Sequence, residues 1–138
     1  TRAVLPSMLE SRWGRVIHLA SIAGKSGMEY VAGYCATKHG LMGMVRASAL
    51  EVAKKGITIN AVCPGYVESP MTDDNVARIS AKTGLPAAQV KGTMEGFSPQ
   101  SRLFQTDEIA ETVLYLATDG ARGINGQGIN VCGGSVFS

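Results

Sequence analysis

A tyrosine and a lysine stand four positions apart in the sequence, at Tyr34 and Lys38. On a helix, side chains at that spacing lie one turn apart on the same face and can act as a pair. A free phenol loses its proton only at a pH of about 10, but an ammonium group beside it favours the phenolate. The pair therefore predicts general acid–base chemistry near neutral pH.

Ser21 precedes Tyr34 by thirteen positions and directly follows a short apolar run at 16–20. A run of that length predicts a buried strand, so the serine would stand at the strand's carboxyl end. From there its hydroxyl could donate a hydrogen bond to a carbonyl oxygen held near the tyrosine. Ser26, in the same loop, is the alternative hydroxyl. We expect Ser21, Tyr34 and Lys38 to form one catalytic site.

Three apolar runs of strand length occur in the sequence, at 16–20, 57–63 and 128–132. Because these runs are uniformly apolar rather than alternating, they indicate a parallel sheet with helices on both faces. The expected fold class is α/β, with a doubly wound parallel sheet of Rossmann type. Ligands bind beyond the carboxyl ends of such strands, which points to the loop after Ser21 and to residues 64–72.

The helical patterns carry end signals. The pattern at 34–55 ends in two lysines followed by Gly56, which is typical of a helix C-terminus. Its expected buried face contains Leu41, Met44, Val45, Ala49 and Val52. Another helix starts at Thr106, the expected N-cap, and its expected apolar face contains Ile109, Val113, Leu114 and Leu116. Residues 3–11 are predicted to be the last part of a helix. The polar segment 70–100 is predicted to contain one or two short surface helices.

The composition describes one globular domain. The chain has 138 residues, of which 45% are hydrophobic, enough for a single packed core. Its net charge of +2 is small and scattered, so we expect no nucleic-acid partner. No apolar run approaches the roughly 20 residues that span a bilayer, so we expect no membrane association.

The spacing of the cysteines and histidines predicts no metal site. The three cysteines are Cys35, Cys63 and Cys132. They lack the paired spacing of a disulfide framework or a zinc site, which favours a reducing, cytoplasmic location. Cys35 adjoins Tyr34, but no base is placed to activate its thiol, so a packing role is favoured. Neither His18 nor His39 has a partner at ligand spacing.

Taken in order, these residues resemble the short-chain dehydrogenase/reductase family. In that family a serine, a Tyr-x-x-x-Lys pair and a later Pro-Gly-x-Val segment recur. The third motif is present here as Pro64-Gly65-Tyr66-Val67-Glu68-Ser69. Further resemblance lies at 60–62, at 107–110 and between Gly126 and Gly134, so it covers nearly the whole chain.

The resemblance implies a role for each motif residue. Tyr34 would be the general acid in ketone reduction and the general base in alcohol oxidation. Lys38 would stabilise the phenolate and hydrogen-bond the nicotinamide ribose, while Ser21 orients the substrate oxygen. Four further residues would hold the nicotinamide ring and its carboxamide, namely Pro64, Gly65, Val67 and Ser69. Ser69 stands where the family more often has threonine, a change that keeps the hydroxyl.

One family feature has no counterpart in this sequence. The glycine-rich turn that binds the cofactor's pyrophosphate is missing, because the glycines at Gly40 and Gly43 fall inside a predicted helix. The whole chain, 1–138, is therefore expected to be the C-terminal part of one Rossmann-type domain, supplying its last three strands. The family's catalytic asparagine would precede Thr1. The choice between NAD and NADP cannot be read from this segment.

Local resemblances narrow the expected substrate. The segments 34–40 and 130–134 look most like β-ketoacyl and polyketide ketoreductases, and 77–84 looks closer to 3-hydroxybutyrate dehydrogenases. Both imply a 3-oxoacyl or 3-hydroxyacyl substrate, either a small molecule or an acyl thioester, with 3-hydroxybutyrate and acetoacetate as the alternative. Residues of about 70–104 would form the substrate lid.

Met42 and Met44 are most simply explained by packing within the helix at 34–55. The family also assembles into homodimers or homotetramers in which this helix packs against its copy, and the alternative is that these methionines line that interface. A different class of function stays open. Half a parallel sheet would leave the strand at 16–20 unpaired along one edge, which exposes backbone and apolar surface. The chain could therefore be a non-catalytic fragment or an assembly module that needs a complementing N-terminal half.

Overall fold

The computed structural model describes residues 1–137, which form a three-stranded parallel sheet covered by helices. The elements in chain order are α1 (Leu5–Ser11), β1 (Gly14–Leu19), a 3-10 turn (Ile22–Gly24), α2 (Ala32–Val52), a 3-10 turn (Ala53–Lys55), β2 (Ile57–Pro64), α3 (Pro70–Thr83), α4 (Ala87–Gly96), α5 (Thr106–Ala117), a 3-10 turn (Asp119–Ala121) and β3 (Gly128–Val131). The expected α/β class is confirmed.

Strand β2 lies at the centre of the sheet and is buried along its whole length. Its neighbours run parallel to it, with Leu19 opposite Val62 on one side and Val131 opposite Pro64 on the other. The carboxyl ends of the three strands therefore meet at one edge. Strand β1 pairs on one side only within residues 1–137, and its last residue, Leu19, is 60% exposed, so the prediction of a buried strand is wrong there.

Alternate residues of β2 serve two separate layers. Ile57, Ile59, Ala61 and Cys63 pack against α2, whose buried face is Met42, Val45, Ala49 and Val52. Val62 points to the opposite face, where it packs with Ile109 and Leu116 of α5. This two-residue period is the normal geometry of a strand that is covered on both faces.

Three details of the predicted helices are wrong. Gln105, not Thr106, is the N-cap of α5, because its side chain and that of Glu108 hydrogen-bond reciprocally to each other's backbone N–H groups. Leu114 is 68% exposed, since it lies about 100° around the helix from its neighbour Val113. Met44 is exposed for the same reason, while Met42 takes the buried place and cannot line a subunit interface.

The predicted end of the long helix is confirmed at Gly56. After the 3-10 turn at Ala53–Lys55, Gly56 adopts a left-handed conformation with φ 74°. A β-carbon there would lie 2.2 Å from the carbonyl oxygen of Arg12, so the site needs glycine for space as well as for conformation. Across residues 1–137, none of the helices combines the length and the hydropathy of a bilayer-spanning segment.

Two glycines of matched conformation separate these two requirements. We expect Gly56→Ala to lower the free energy of unfolding by about 1–3 kcal/mol more than Gly84→Ala, because overpacking adds to the left-handed strain. Gly84 has φ 75° but no heavy atom within 4 Å of an added β-carbon, so it isolates the conformational cost. Urea unfolding of both variants measures the difference. Equal losses would show that the contact with Arg12 costs nothing.

Candidate active site

A cleft of about 1210 Å³ opens at the carboxyl ends of β1 and β2, beside the first turns of α2. All seven residues singled out in the sequence line it, namely Ser21, Tyr34, Lys38, Pro64, Gly65, Val67 and Ser69. The alternative hydroxyl, that of Ser26, is not part of the lining. The structure thus brings the three sequence motifs together, as expected for ligands that bind at the strand ends.

Tyr34 and Lys38 form a close pair at the start of α2. The helix begins at Ala32, so both side chains belong to its first two turns. The Lys38 ammonium lies 5.5 Å from the centroid of the Tyr34 ring and donates a hydrogen bond of 3.0 Å to the Leu19 carbonyl oxygen. That bond holds the positive charge at the end of β1, next to Tyr34, which lines the cleft and is 47% exposed.

Ser21 is held in place by its own backbone turn. Its Oγ accepts a hydrogen bond of 3.1 Å from the Ala23 N–H group, which makes it the N-cap of the 3-10 turn Ile22–Gly24. A hydroxyl that accepts in this way keeps its own proton to donate. Ser21 can therefore cap the turn and at the same time offer a donor to a ligand oxygen in the cleft.

The segment after β2 is fixed by backbone hydrogen bonds on two sides. Gly65 N–H donates to the Val131 carbonyl oxygen at 2.9 Å. Farther along, Phe104 N–H donates to the Tyr66 carbonyl oxygen at 2.9 Å, and Glu68 N–H donates to the Phe104 carbonyl oxygen at 2.8 Å. The segment 64–69 therefore lines the cleft with a backbone that is restrained before any ligand binds.

Ser69 closes this segment and starts α3. Its backbone is extended and its Oγ accepts from the Thr72 N–H group at 3.4 Å, so it is the N-cap. The buried Thr72 hydroxyl donates to the Val67 carbonyl oxygen at 2.6 Å and ties the helix start back to the segment. A serine at a helix N-terminus thus lines the cleft.

Helices α3 and α4 pack on each other above the segment 64–69. Their shared core is Val76, Val90 and Met94, together with Leu103. An ion pair joins Lys91 of α4 to Glu68, and the hydrogen bond in it lowers the pKa of the Glu68 carboxyl and raises the pKa of the Lys91 ammonium. The Tyr66 and Phe97 rings meet with centroids 5.6 Å apart, and burial raises the pKa of Tyr66.

Several residues that line the cleft belong to none of the sequence motifs. Tyr30 and Met28 come from the loop before α2, and Asn75 and Arg78 come from α3. Arg78 Nη2 donates to Asn75 Oδ1 at 2.8 Å. In the part of the cleft that residues 1–137 form, the charged lining residues are Lys38 and Arg78, and no carboxylate lines it. The cleft therefore carries a positive bias.

The histidines and cysteines of residues 1–137 do not line the cleft. His18 contacts the Thr1 hydroxyl, and the His39 ring is hydrogen-bonded to the Cys35 carbonyl oxygen at 2.9 Å. All three cysteines are free and buried. Within residues 1–137, no three histidine, cysteine, aspartate or glutamate side chains are grouped so that they could hold a metal ion.

This arrangement of a serine, a Tyr-x-x-x-Lys pair and a restrained Pro-Gly segment at one sheet edge matches a known family. A family model of short-chain dehydrogenases, described as enoyl-(acyl carrier protein) reductase, matches residues 1–136. The chain belongs to the short-chain dehydrogenase/reductase family. The predicted membership is confirmed.

Individual relatives of this short-chain dehydrogenase/reductase chain agree with the family model. The 3-oxoacyl-(acyl-carrier-protein) reductase of Pseudomonas aeruginosa is 40% identical over 138 residues, which are 100% of this chain and 51% of that protein. A D-beta-hydroxybutyrate dehydrogenase of Rhizobium meliloti is 35% identical over 134 residues, covering 96% of this chain and 52% of its own length. The chain spans about half the length of the curated relatives that it matches.

Solved structures give the same result for the fold. An actinorhodin polyketide ketoreductase crystallised with NADPH superposes with a TM-score of 0.87 at 41% identity. That superposition covers 93% of this chain and 49% of the ketoreductase. The predicted Rossmann-type architecture is therefore confirmed for the three strands and the helices that pack on them.

A further ion pair joins the end of the α3–α4 region to α5. Both Arg102 guanidinium Nη atoms donate to the Glu108 carboxylate, at 2.7 and 2.6 Å. The Gln105 N–H group donates to the same carboxylate at 2.7 Å. These bonds, that from Arg102 first, lower the pKa of Glu108 to about 2 from an ordinary value of 4.5. The carboxylate therefore stays charged well into the acid range.

This lowered pKa predicts a specific loss of stability in acid. A carboxyl whose folded pKa lies below its unfolded value stabilises the fold above pH 4.5, and that contribution disappears as the pH falls towards 2. We expect the melting temperature of Glu108→Gln to depend less on pH across this window than that of the parent protein. Glu111→Gln, on the same helix and outside the ion pairs of residues 1–137, should keep the parent's dependence. Parallel curves for Glu108→Gln and the parent would contradict the account.

Proposed function

We propose that the protein containing this chain is an NAD(P)-dependent oxidoreductase that interconverts a ketone and a secondary alcohol. The observation that carries this proposal is the position of the Lys38 ammonium. It is bound to the Leu19 carbonyl oxygen at 3.0 Å and lies 5.5 Å from the Tyr34 ring, in the same cleft as Ser21. A phenol, an ammonium and a hydroxyl placed together suit proton transfer to a polarised carbonyl oxygen.

Each side chain has one part in this chemistry. In the reductive direction, the Tyr34 hydroxyl donates its proton to the carbonyl oxygen as that oxygen gains charge. Lys38, whose ammonium lies 5.5 Å from the centroid of the Tyr34 ring, then supplies a positive charge beside the phenolate that remains. Ser21 donates a hydrogen bond to the same oxygen and fixes its position. In the oxidative direction Tyr34 takes the proton from the alcohol, and the same contacts serve.

The cleft residues suit a nicotinamide riboside. Pro64 and Val67 provide an apolar wall for a flat ring, while Ser69 provides a hydroxyl for an amide group. The Lys38 ammonium has three donors, of which one binds the Leu19 carbonyl oxygen, so the others can reach ribose hydroxyls. When bound, a nicotinamide cofactor gives or takes the hydride. Both NADP and NAD suit these contacts, because none of them reaches the part of the cofactor where the two differ.

The proposed substrate is a 3-oxoacyl or 3-hydroxyacyl compound, carried as an acyl thioester. The names of the relatives support this class, since one is a reductase of 3-oxoacyl groups on acyl carrier protein and another is a hydroxybutyrate dehydrogenase. Free acetoacetate and 3-hydroxybutyrate are the alternative substrates. We propose that residues 70–104 form the substrate lid, since Asn75, Arg78 and Met94 of that segment line the cleft.

We also propose that subunits associate as a homodimer or homotetramer through the outer face of α2. Leu50 is 81% exposed and Met44 is 43% exposed on this helix, and a partner subunit would cover apolar side chains of this kind. The three free cysteines support action in the cytoplasm, where thiols stay reduced.

A second candidate function is that of an assembly module without catalysis. The specific observation in its favour is the edge of β1, which is unpaired within residues 1–137 and ends at the exposed Leu19. A chain that covers such an edge would stabilise the fold. Nicotinamide binding separates the two candidates, because an assembly module has no reason to bind the cofactor.

The proposed activity predicts that removing the hydroxyl group of Tyr34 lowers kcat strongly. Tyr34→Phe should lower kcat for reduction of a 3-oxoacyl thioester by about 10²–10⁴-fold, because the proton donor is lost. The fold should stay intact, since the tyrosine side chain is partly exposed. Oxidation of NADPH or NADH by the whole protein, followed by absorbance, measures the rate, and circular dichroism measures the fold.

Tyr115→Phe is the matched control. That tyrosine lies on α5 outside the cleft and is 53% exposed, so its variant should keep the parent's kcat. Retained activity in Tyr34→Phe would overturn the proposed role. Equal losses in both variants would mean that the assay reports general damage rather than proton transfer.

A further inference from the structure

The 3-10 turn after Ser21 connects that residue directly to helix α2. Ser21 Oγ accepts from the Ala23 N–H group at 3.1 Å, and the Ser21 carbonyl oxygen accepts from the Gly24 N–H group at 2.9 Å. All three residues of the turn, Ile22–Gly24, are buried. The position of Ser21 therefore depends on the atoms that pack against Gly24.

The atoms packed most closely against Gly24 belong to the backbone of Lys38. A β-carbon added to Gly24 would lie 2.7 Å from the Lys38 carbonyl oxygen and 3.0 Å from the carbonyl carbon. It would also lie 3.2 Å from Cγ of Met42, a side chain with no exposed area. Gly24 does not have a positive φ, so its backbone conformation suits any residue. Glycine is needed here for close approach alone.

Lys38 is thus held at both ends. Its ammonium binds the carbonyl oxygen of Leu19, two residues before Ser21. Its main-chain carbonyl packs against Gly24, three residues after Ser21. We propose that Gly24 is a positioning residue, which sets the separation between Ser21 and the Tyr34–Lys38 pair. The proposal rests on the proposed oxidoreductase function and names a residue on which its geometry depends.

A methyl group at Gly24 would disturb this geometry in a defined direction. Ordinary contact for a β-carbon begins at 3.4 Å, so it and the Lys38 oxygen would have to separate by about 0.7 Å. The atom in the way belongs to the backbone, so no side-chain rotation relieves the contact. The first turns of α2 would move away from the end of β1, and the bond between Lys38 and Leu19 would lengthen.

The test uses Gly24→Ala in the whole protein. We expect kcat to fall about 10- to 100-fold, the usual result of a misplacement of this size. The pH profile of alcohol oxidation should change as well, because the positive charge beside the proton-accepting phenol has moved. In a crystal structure of the variant, the distance from Lys38 Nζ to the Leu19 carbonyl oxygen should exceed 3.5 Å.

Two other glycines provide matched controls. Gly27, in the same loop, has no heavy atom within 4 Å of an added β-carbon, so Gly27→Ala should behave as the parent does. At Gly128 a β-carbon would meet the side chains of Met42, Lys25 and Cys63 at 2.7–3.0 Å. Gly128→Ala therefore strains the same core without touching the Lys38 backbone. It should lower the melting temperature and leave the pH profile unchanged.

Three results would overturn the proposal. One is a Gly24→Ala variant with the parent's pH profile and an unchanged 3.0 Å distance. Another is an equal shift of the pH profile in Gly128→Ala, and the third is loss of folding in Gly24→Ala alone, which would give Gly24 a role in the fold as a whole. Absence of activity in the parent would instead contradict the proposed function, and the crystallographic distance would still decide whether Gly24 positions Lys38.

Discussion

The hydrogen bond from Lys38 to the Leu19 carbonyl oxygen joins helix α2 to the end of strand β1, and the candidate site depends on it. Helix α2 carries the tyrosine, and β1 leads into the serine, so this contact helps to relate the two. The parallel pairing of β1 with β2 then brings Pro64 and the segment after it to the same edge. Acid–base groups and the expected ring-binding wall thus share one cleft because of strand direction and the contacts of Lys38 with β1 and Gly24.

Packing below the cleft keeps that contact in place. Met42 is fully buried between the sheet and the turn after Ser21, and it lies one turn beyond Lys38 on α2. Close packing of this kind resists small shifts, because each displaced side chain must find new space in a dense core. The other wall of the cleft has separate restraints, in the backbone bonds to Phe104 and in the ion pairs of Glu68 and Glu108.

The sequence predicted the order of strands and helices, the grouping of Ser21, Tyr34 and Lys38 at one cleft and the helix end at Gly56, because periodicity and local motifs carry that information. Exposure of Leu114 and Met44 was mispredicted, since an apolar residue at the margin of a helix face does not show which side the sheet will cover. The cap at Gln105 was missed because it depends on a reciprocal contact with Glu108. Gly24 carried no local signal at all, as its need for glycine arises from a helix packed against it from elsewhere in the chain.

The most direct test of this account is a titration of the whole protein with NADPH and with NADH, followed by nicotinamide fluorescence, in the parent and in Lys38→Met. Methionine keeps an unbranched side chain and removes the ammonium. The account predicts saturable binding of at least one cofactor by the parent, weakened by about tenfold or more in the variant, since hydrogen bonds from a charged donor are lost. Equal binding by the two proteins, or no saturable binding of either cofactor by the parent, would contradict it.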